Sequence, residues 1–509
     1  MIKQILIIIS VVAFLIRVVN YQYPPLLWDE ASIGYNAYSI LQTGHDEYGT
    51  FLPIIFKSFG DYKPGLYIYL TIPFVAIFGL TELSVRLPSM IIGSLIPLFL
   101  YLLITTLKPK STKLALTAAI LVAFNPWNIH FSKGAWETNI LLFQLIFGSY
   151  IFLKNKYFAS AIVFGLSLFT YQASKLLVPF MIINLIIYKK IFPIKFFILI
   201  GLFFIPVVYG MLFGADANRL KVMNLMSYTR PVTELTEITN ESNQFDYNLF
   251  YSQPIFFTRN FLQRYFNFFS ARFLLFEGDW NTMRHSAPYI GVILYPTFFF
   301  FIFGLILAIK QYHLHKYFLI WLIFAAVPAA LSLDIIQAVR GLNLSVPIIY
   351  FSALGLSAIA SKKNIILILT LYIASFAYYT DLYYNHLTQI KPEQSLVGYK
   401  QAIQYLELNG QNRQKIMTNF YGQAYIYYLF YTKYPPLKYQ LQANLITNGV
   451  DIGVVEKIDD ILFKTPDINQ IKNSSQKTIA IAAYDEIIRQ GFQIKDFVKI
   501  SPIFYAYQN

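Results

Sequence analysis

The sequence predicts a polytopic α-helical membrane protein of about 11 transmembrane helices, with a small α/β domain after them on the extracytoplasmic side. Three observations carry that prediction. The 509 residues are 56% hydrophobic and only 13% charged, with a mean hydropathy of +0.50, whereas a soluble domain is about half apolar and about a quarter charged. Apolar runs of near-spanning length recur through the first three quarters, and lysines collect in alternate gaps between them, as the positive-inside rule requires. From about residue 381 the pattern changes to amphipathic helices and short strands.

With Lys3 inside, the first apolar segment, 5–19, runs outward. No small-residue cleavage site follows it, so it reads as a retained helix and not as a cleaved signal. The first outer loop, 21–85, contains a weaker apolar run at 66–80, interrupted by Pro73 and bounded by Gly79. That run is short for a span, and letting it cross would strand Lys108, Lys110 and Lys113 outside; it is expected to lie along the interface or to re-enter. Spans then alternate: 86–107 inward, 114–127 outward, 138–153 inward to Lys154 and Lys156, 157–171 outward, 176–188 inward to Lys189, Lys190 and Lys195, and 196–213 outward. After a large outer loop at 214–288 come 289–309 inward to Lys310 and Lys316, 317–333 outward, 343–360 inward to Lys362 and Lys363, and 365–379 outward. Trp28, Trp127, Trp136 and Trp280 then fall at or near the outer interface, as in an aromatic belt. The membrane domain is expected at 1–381 and the soluble domain at 382–509. Within the latter, 393–409 reads as an amphipathic helix, 414–418 as a strand, 424–431 as a helix, 478–483 as a buried strand and 485–490 as a helix.

The net charge of +14 is explained by the loop lysines, so nucleic acid is not expected as a partner. The absence of cysteine excludes disulfides and thiolate metal sites. The six histidines are scattered, with His313-Leu314-His315 in an expected cytoplasmic loop. No cofactor is indicated, although Asp29, Glu30 and Glu137 could take a divalent cation. No Walker-type or dinucleotide glycine motif occurs, which argues against ATP-driven transport and nucleotide-cofactor chemistry.

The chemistry-bearing residues sit in outer-face islands. Pro24-Pro25-Leu26-Leu27-Trp28-Asp29-Glu30 places two adjacent carboxylates beside an indole just after the first helix. They are either the solvated start of a loop or a general base whose pKa the low dielectric of the interface raises. Lys63, in Asp61-Tyr62-Lys63-Pro64-Gly65, is either a snorkelling lysine or a point charge for a phosphate. Glu137 stands where the chain re-enters the bilayer, after Asn125-Pro126-Trp127-Asn128-Ile129-His130-Phe131-Ser132-Lys133. It is either a dipole-favoured helix start or a functional carboxylate. Lys175, the pair Arg284-His285 and Arg340 each suit a phosphate or a lipid headgroup. Arg17, inside the first helix, is expected to have a partner.

The order of these motifs, Asp29-Glu30, then Asp61-Tyr62-Lys63-Pro64-Gly65-Leu66-Tyr67, then Glu82-Leu83-Ser84-Val85-Arg86-Leu87-Pro88-Ser89, resembles the GT-C glycosyltransferases. The likeness is to the bacterial branch of glycosyltransferase family 39, the dolichyl-phosphate-mannose protein mannosyltransferase-like proteins, and to the lipid A aminoarabinose transferases. It is clearest over residues 1 to about 180 and weaker over Arg284-His285 and Arg340. It implies a GT-C fold and inverting transfer of a mannose-like sugar from a polyprenyl-phosphate donor to a protein, lipid or cell-envelope glycan. The reaction would take place on the extracytoplasmic face of the cell membrane. Asp29, Glu30 and Glu137 would then be catalytic, with Lys63, Arg284, His285 and Arg340 on the donor phosphate. Many relatives have two prolines where this chain has Pro64-Gly65.

Two other functions use similar groups. A flippase or transporter of lipid-linked saccharides would bury charges mid-span and often repeats its halves, whereas here the spans are nearly free of charge and the polar islands share one face. A polymerase or ligase of lipid-linked glycans would use a large outer loop rich in arginine and histidine; the loop at 214–288 has several arginines but only His285.

Overall fold

Among the described residues, five helices are long and apolar enough to cross a membrane by themselves: Glu82–Leu107, Ile194–Leu212, Tyr312–Ala330, Ala338–Ile359 and Ile365–Ile390. A bent pair, Thr112–Ala123 with Pro126–Lys133, kinked by 52°, passes the same test together, as one broken span or a re-entrant loop. The proline at the break cannot donate to the preceding turn, which explains the bend in the expected 114–127 span. Leu66–Phe78, Glu137–Leu153, Tyr157–Ser167 and Tyr295–Lys310 are apolar helices of shorter length. The computed structural model describes residues 1–213, 232–241, 243–447 and 453–509. Residues 214–231 and 242 of the predicted outer loop lie outside the described residues.

The chain forms two compact units, one of Met1–Val11, Leu95–His130 and Leu141–Tyr379, the other of Val12–Ser94, Phe131–Ile140 and Thr380–Asn509. In the first unit, helices Tyr295–Lys310 and Ser345–Ile359 meet at glycines. A Cβ on Gly304 would lie 1.8 Å from the Phe351 carbonyl oxygen, and one on Gly355 would lie 2.2 Å from that of Phe300. Backbone contact of this kind is the usual way small residues join helices in lipid. His315, expected in a loop, is instead buried within helix Tyr312–Ala325, its Nδ1 2.8 Å from the Tyr350 hydroxyl. The helix expected from 289 starts at Tyr295, with Pro296 in its first turn, where a missing amide hydrogen costs nothing.

The second unit gives the loop expected on the outer face a structure. Helix Trp28–Thr43 ends at Gly44 in the left-handed conformation, φ 74°. Strands Ile55–Ser58 and Asp61–Pro64 pair antiparallel, with Phe56 opposite Lys63, and helix Leu66–Phe78 follows. The C-terminal residues build a six-stranded sheet in the order Lys457–Ile458, Ile461–Phe463, Gln414–Met417, Thr478–Ala483, Phe504–Gln508, Val498–Lys499. Thr478–Ala483 is buried at every residue, as its unbroken apolar run requires of a central strand. Leu26, Ala31 and Tyr35 share one core with Tyr425, Tyr427 and Phe430. The Tyr35 hydroxyl donates to the Tyr434 carbonyl at 3.0 Å, and the Tyr427 hydroxyl to that of Leu26 at 2.9 Å. Gly34 is needed there, since a Cβ would lie 2.6 Å from both the Phe430 ring and Val85.

Candidate active site

Asp29 and Glu30 are not in an extended loop. They occupy the first turn of helix Trp28–Thr43, where the exposed amide dipoles favour carboxylates. Successive helical side chains point about 100° apart, so the two acids face different surroundings.

Glu30 is 3% exposed and fully engaged. Arg86 donates from Nε to Oε1 at 2.8 Å and from Nη2 to Oε2 at 2.6 Å. The amide of Leu27 donates to Oε2 at 3.0 Å and that of Ala135 to Oε1 at 2.8 Å. The remaining guanidinium donors reach the carbonyls of Tyr21 at 2.7 Å, Pro24 at 2.9 Å and Pro25 at 3.3 Å. Glu30 is thus a bidentate anchor that fixes the start of its helix against the Pro24-Pro25 segment and the Phe131–Ile140 segment.

Asp29 instead pairs with Lys63. The two side chains are 34% and 20% exposed, and they line one small crevice with Ser32, Ser58, Tyr67 and Glu137. Lys63 is held on the hairpin strand with its Nζ 5.2 Å from the centre of the Phe59 ring. Glu137 enters from the start of helix Glu137–Leu153. The three residues singled out around the first loop and the third island therefore share one place. A carboxylate there can accept a proton, and the cation can hold a phosphate.

Several functional candidates escape a reading of the sequence. Arg86 is the counter-ion of Glu30, 56 residues away. Arg17, for which the sequence already called for a partner, donates from Nε to Ser132 Oγ at 2.6 Å. Lys133 is 1% exposed and donates to the carbonyl of Val19 at 2.7 Å and to the Tyr384 hydroxyl at 3.1 Å. Glu47 is completely buried. Its amide donates to Asn36 Oδ1 at 3.0 Å, and Asn36 Nδ2 donates to its Oε1 at 3.1 Å and lies 3.3 Å from Ser32 Oγ. Burial pushes the Glu47 carboxyl up to about 8. The adjacent acids Asp46-Glu47 are a second such pair in the first loop and were the signal available for it.

Arg284, His285 and Arg340 belong to the first unit. His285 Nδ1 lies 3.0 Å from Asp279 Oδ2, which also accepts from the amide of Ala338 at 2.7 Å. The Arg284 carbonyl is 2.9 Å from His130 Nε2. Arg340, two residues past Ala338, pairs with Asp334 at 2.7 Å. Asp279 thus ties the 283–285 turn to the 338–341 turn. Among the described residues no three His, Asp or Glu side chains gather as a metal site would need.

Residues 7–215 match the family model described as dolichyl-phosphate-mannose-protein mannosyltransferase. The fold is similar to that of ArnT from Cupriavidus metallidurans in the apo state, with a TM-score of 0.54 at 10% identity over 99% of this chain and 97% of that one. It is also similar to the same enzyme bound to undecaprenyl phosphate, with a TM-score of 0.52 at 10% identity over 98% and 97% of the two chains. Among curated protein sequences none matches this chain. The family match over residues 7–215 and the fold shared with ArnT over nearly the whole chain support a multi-pass membrane glycosyltransferase of the GT-C type.

Proposed function

We propose that this glycosyltransferase moves a mannose-like sugar from a polyprenyl-phosphate donor to an acceptor hydroxyl of a protein, lipid or cell-envelope glycan, on the extracytoplasmic face and with inversion. The observation that carries the reading is the crevice in which Asp29, Lys63 and Glu137 meet. Asp29 and Lys63 are each other's partner there. A donor phosphate takes Asp29's place at Lys63, and the carboxylate it frees turns to the acceptor. Asp29 removes the acceptor proton as the acceptor oxygen bonds to the anomeric carbon. The bond from that carbon to the phosphate oxygen breaks, its electron pair stays on the phosphate, and Lys63 stabilises the charge. Glu30, saturated by Arg86 and two amides, is a positioning residue. Glu137, which also lines the crevice, is a second carboxylate available to the acceptor. Arg284, His285 and Arg340 are phosphate contacts by the family resemblance alone.

Transfer is measured in proteoliposomes with radiolabelled polyprenyl-phosphate mannose and cell-envelope acceptors. Asp29→Asn is expected to lose about 10²–10⁴-fold in rate, and Lys63→Ala to lose donor-dependent rate. A wild type that moves no sugar from several such donors overturns the donor assignment, and an Asp29→Asn variant at full rate overturns the base.

A further inference from the structure

A cavity in the first unit is lined mostly by apolar side chains and holds none of the residues given a role in the reaction. It holds about 540 Å³, within the range of roughly 300–1,000 Å³ of ligand clefts. It runs between helices Thr112–Ala123, Ser345–Ile359 and Ile365–Asp381, and Lys113, Thr117, Ile120, Leu369, Ile373 and Phe376 are among its lining. Ile120, Leu369 and Ile373 are 45%, 52% and 68% exposed, so the groove opens sideways into what would be hydrocarbon.

Its two ends differ. At one end the Lys113 ammonium donates to the Ser357 carbonyl at 3.3 Å. Lys362 and Lys363 lie between Ala360 and Ile365, which also line the groove. No acidic residue occurs in 108–124 or 356–380 to neutralise these lysines. At the other end stand Phe124 and Phe376. From Lys113 to Phe124 along the helix is about 16 Å, close to the ~15 Å of one leaflet of hydrocarbon.

We propose that this groove is a binding site for an anionic glycerophospholipid, one acyl chain along the apolar wall and the phosphate at Lys113, Lys362 and Lys363. A cation cluster at the mouth of an interhelical groove selects lipids by headgroup charge, and the groove's length selects an acyl chain of one leaflet over the much longer polyprenyl chain of a donor. In the topology proposed from the lysine distribution the mouth faces the cytoplasm, so the site is structural and separate from catalysis.

The test is native mass spectrometry of the full chain, released from detergent holding equal phosphatidylglycerol and phosphatidylcholine. The wild type is expected to retain phosphatidylglycerol in preference. Lys113→Ala is expected to weaken retention about fivefold, and Leu369→Trp, which fills the groove from an exposed position, to abolish it. Lys195→Ala, at an exposed lysine elsewhere, is expected to change nothing. Unfolding midpoints identify any variant that fails to fold, and Leu369→Trp and Lys113→Ala serve independently. Retention that survives Leu369→Trp, or falls equally with Lys195→Ala, overturns the site. One-for-one displacement of the phospholipid by undecaprenyl phosphate overturns it too, by assigning the groove to a donor chain.

Discussion

Replacing Glu30 and replacing Asp29 by their amides should produce opposite failures. Glu30→Gln removes the charge that Arg86 neutralises in a site where the two side chains are 4% and 1% exposed. Breaking a buried ion pair by removing one partner costs about 3–5 kcal/mol. The new amide group also turns donors towards the Arg86 fork or towards the amides of Leu27 and Ala135, which have nothing to accept with. At roughly 2–4 °C per kcal/mol for a unit of this size, the expected fall in unfolding midpoint is about 6–20 °C. Asp29→Asn breaks a pair that is a fifth to a third exposed, worth about 0–1 kcal/mol, so the midpoint should scarcely move while transfer collapses. The assay is tryptophan fluorescence during heating in detergent, paired with transfer in proteoliposomes. A Glu30→Gln protein that unfolds at the wild-type temperature yet loses transfer about 10²–10⁴-fold would make Glu30 the base and refute the division of roles.

Three further outcomes follow from the packing. Glu47 ionises near about 4.3 in an unfolded chain and near about 8 when folded, so the folded state holds the extra proton; the stabilisation is complete below the unfolded value and is lost as pH rises through about 8. Unfolding midpoints measured from pH 5 to 9 should therefore fall in the wild type and stay flatter in Glu47→Gln. Gly304→Ala drives a methyl into the Phe351 carbonyl and should cost about 1–3 kcal/mol or more, seen as a lower midpoint in detergent. Ile481→Ala empties part of the central strand, where Ile481 is fully buried; about 2–5 kcal/mol is expected, with earlier proteolysis of the C-terminal region.

How much of this was legible follows from where each element gets its stability. Long apolar runs such as 86–107 and 365–379 declare themselves, because lipid rewards each residue locally. The buried strand Thr478–Ala483 and helix Ala424–Tyr431 were legible for a similar reason, each carrying an apolar run with clear ends. Strands of two or three residues, such as Lys457–Ile458 and Val498–Lys499, are too short to show a period. Helix Trp28–Thr43 was hidden in the first loop because its Gly, Ser, Asn and Tyr residues are poor local evidence for a helix. What buries it lies about 400 residues onward, where Tyr35 meets Tyr434 and Leu26 meets Tyr427. The lysine of Asp61-Tyr62-Lys63-Pro64 could be picked out, but its aim depends on a hairpin that turns at Phe59 and Gly60, both with positive φ.

The choice between Asp29 and Glu30 shows the limit most clearly. Side by side in the sequence they are equivalent. Once a helix starts at Trp28, a rotation of about 100° sends one carboxylate to Arg86 and the other to Lys63. Arg86 was in view within Glu82-Leu83-Ser84-Val85-Arg86, yet nothing in its own neighbourhood names a partner 56 residues earlier. On the proposed reading helix phase separates the roles: the acid whose oxygens are taken by Arg86 and two amides holds the scaffold, and the acid that faces Lys63 does the chemistry.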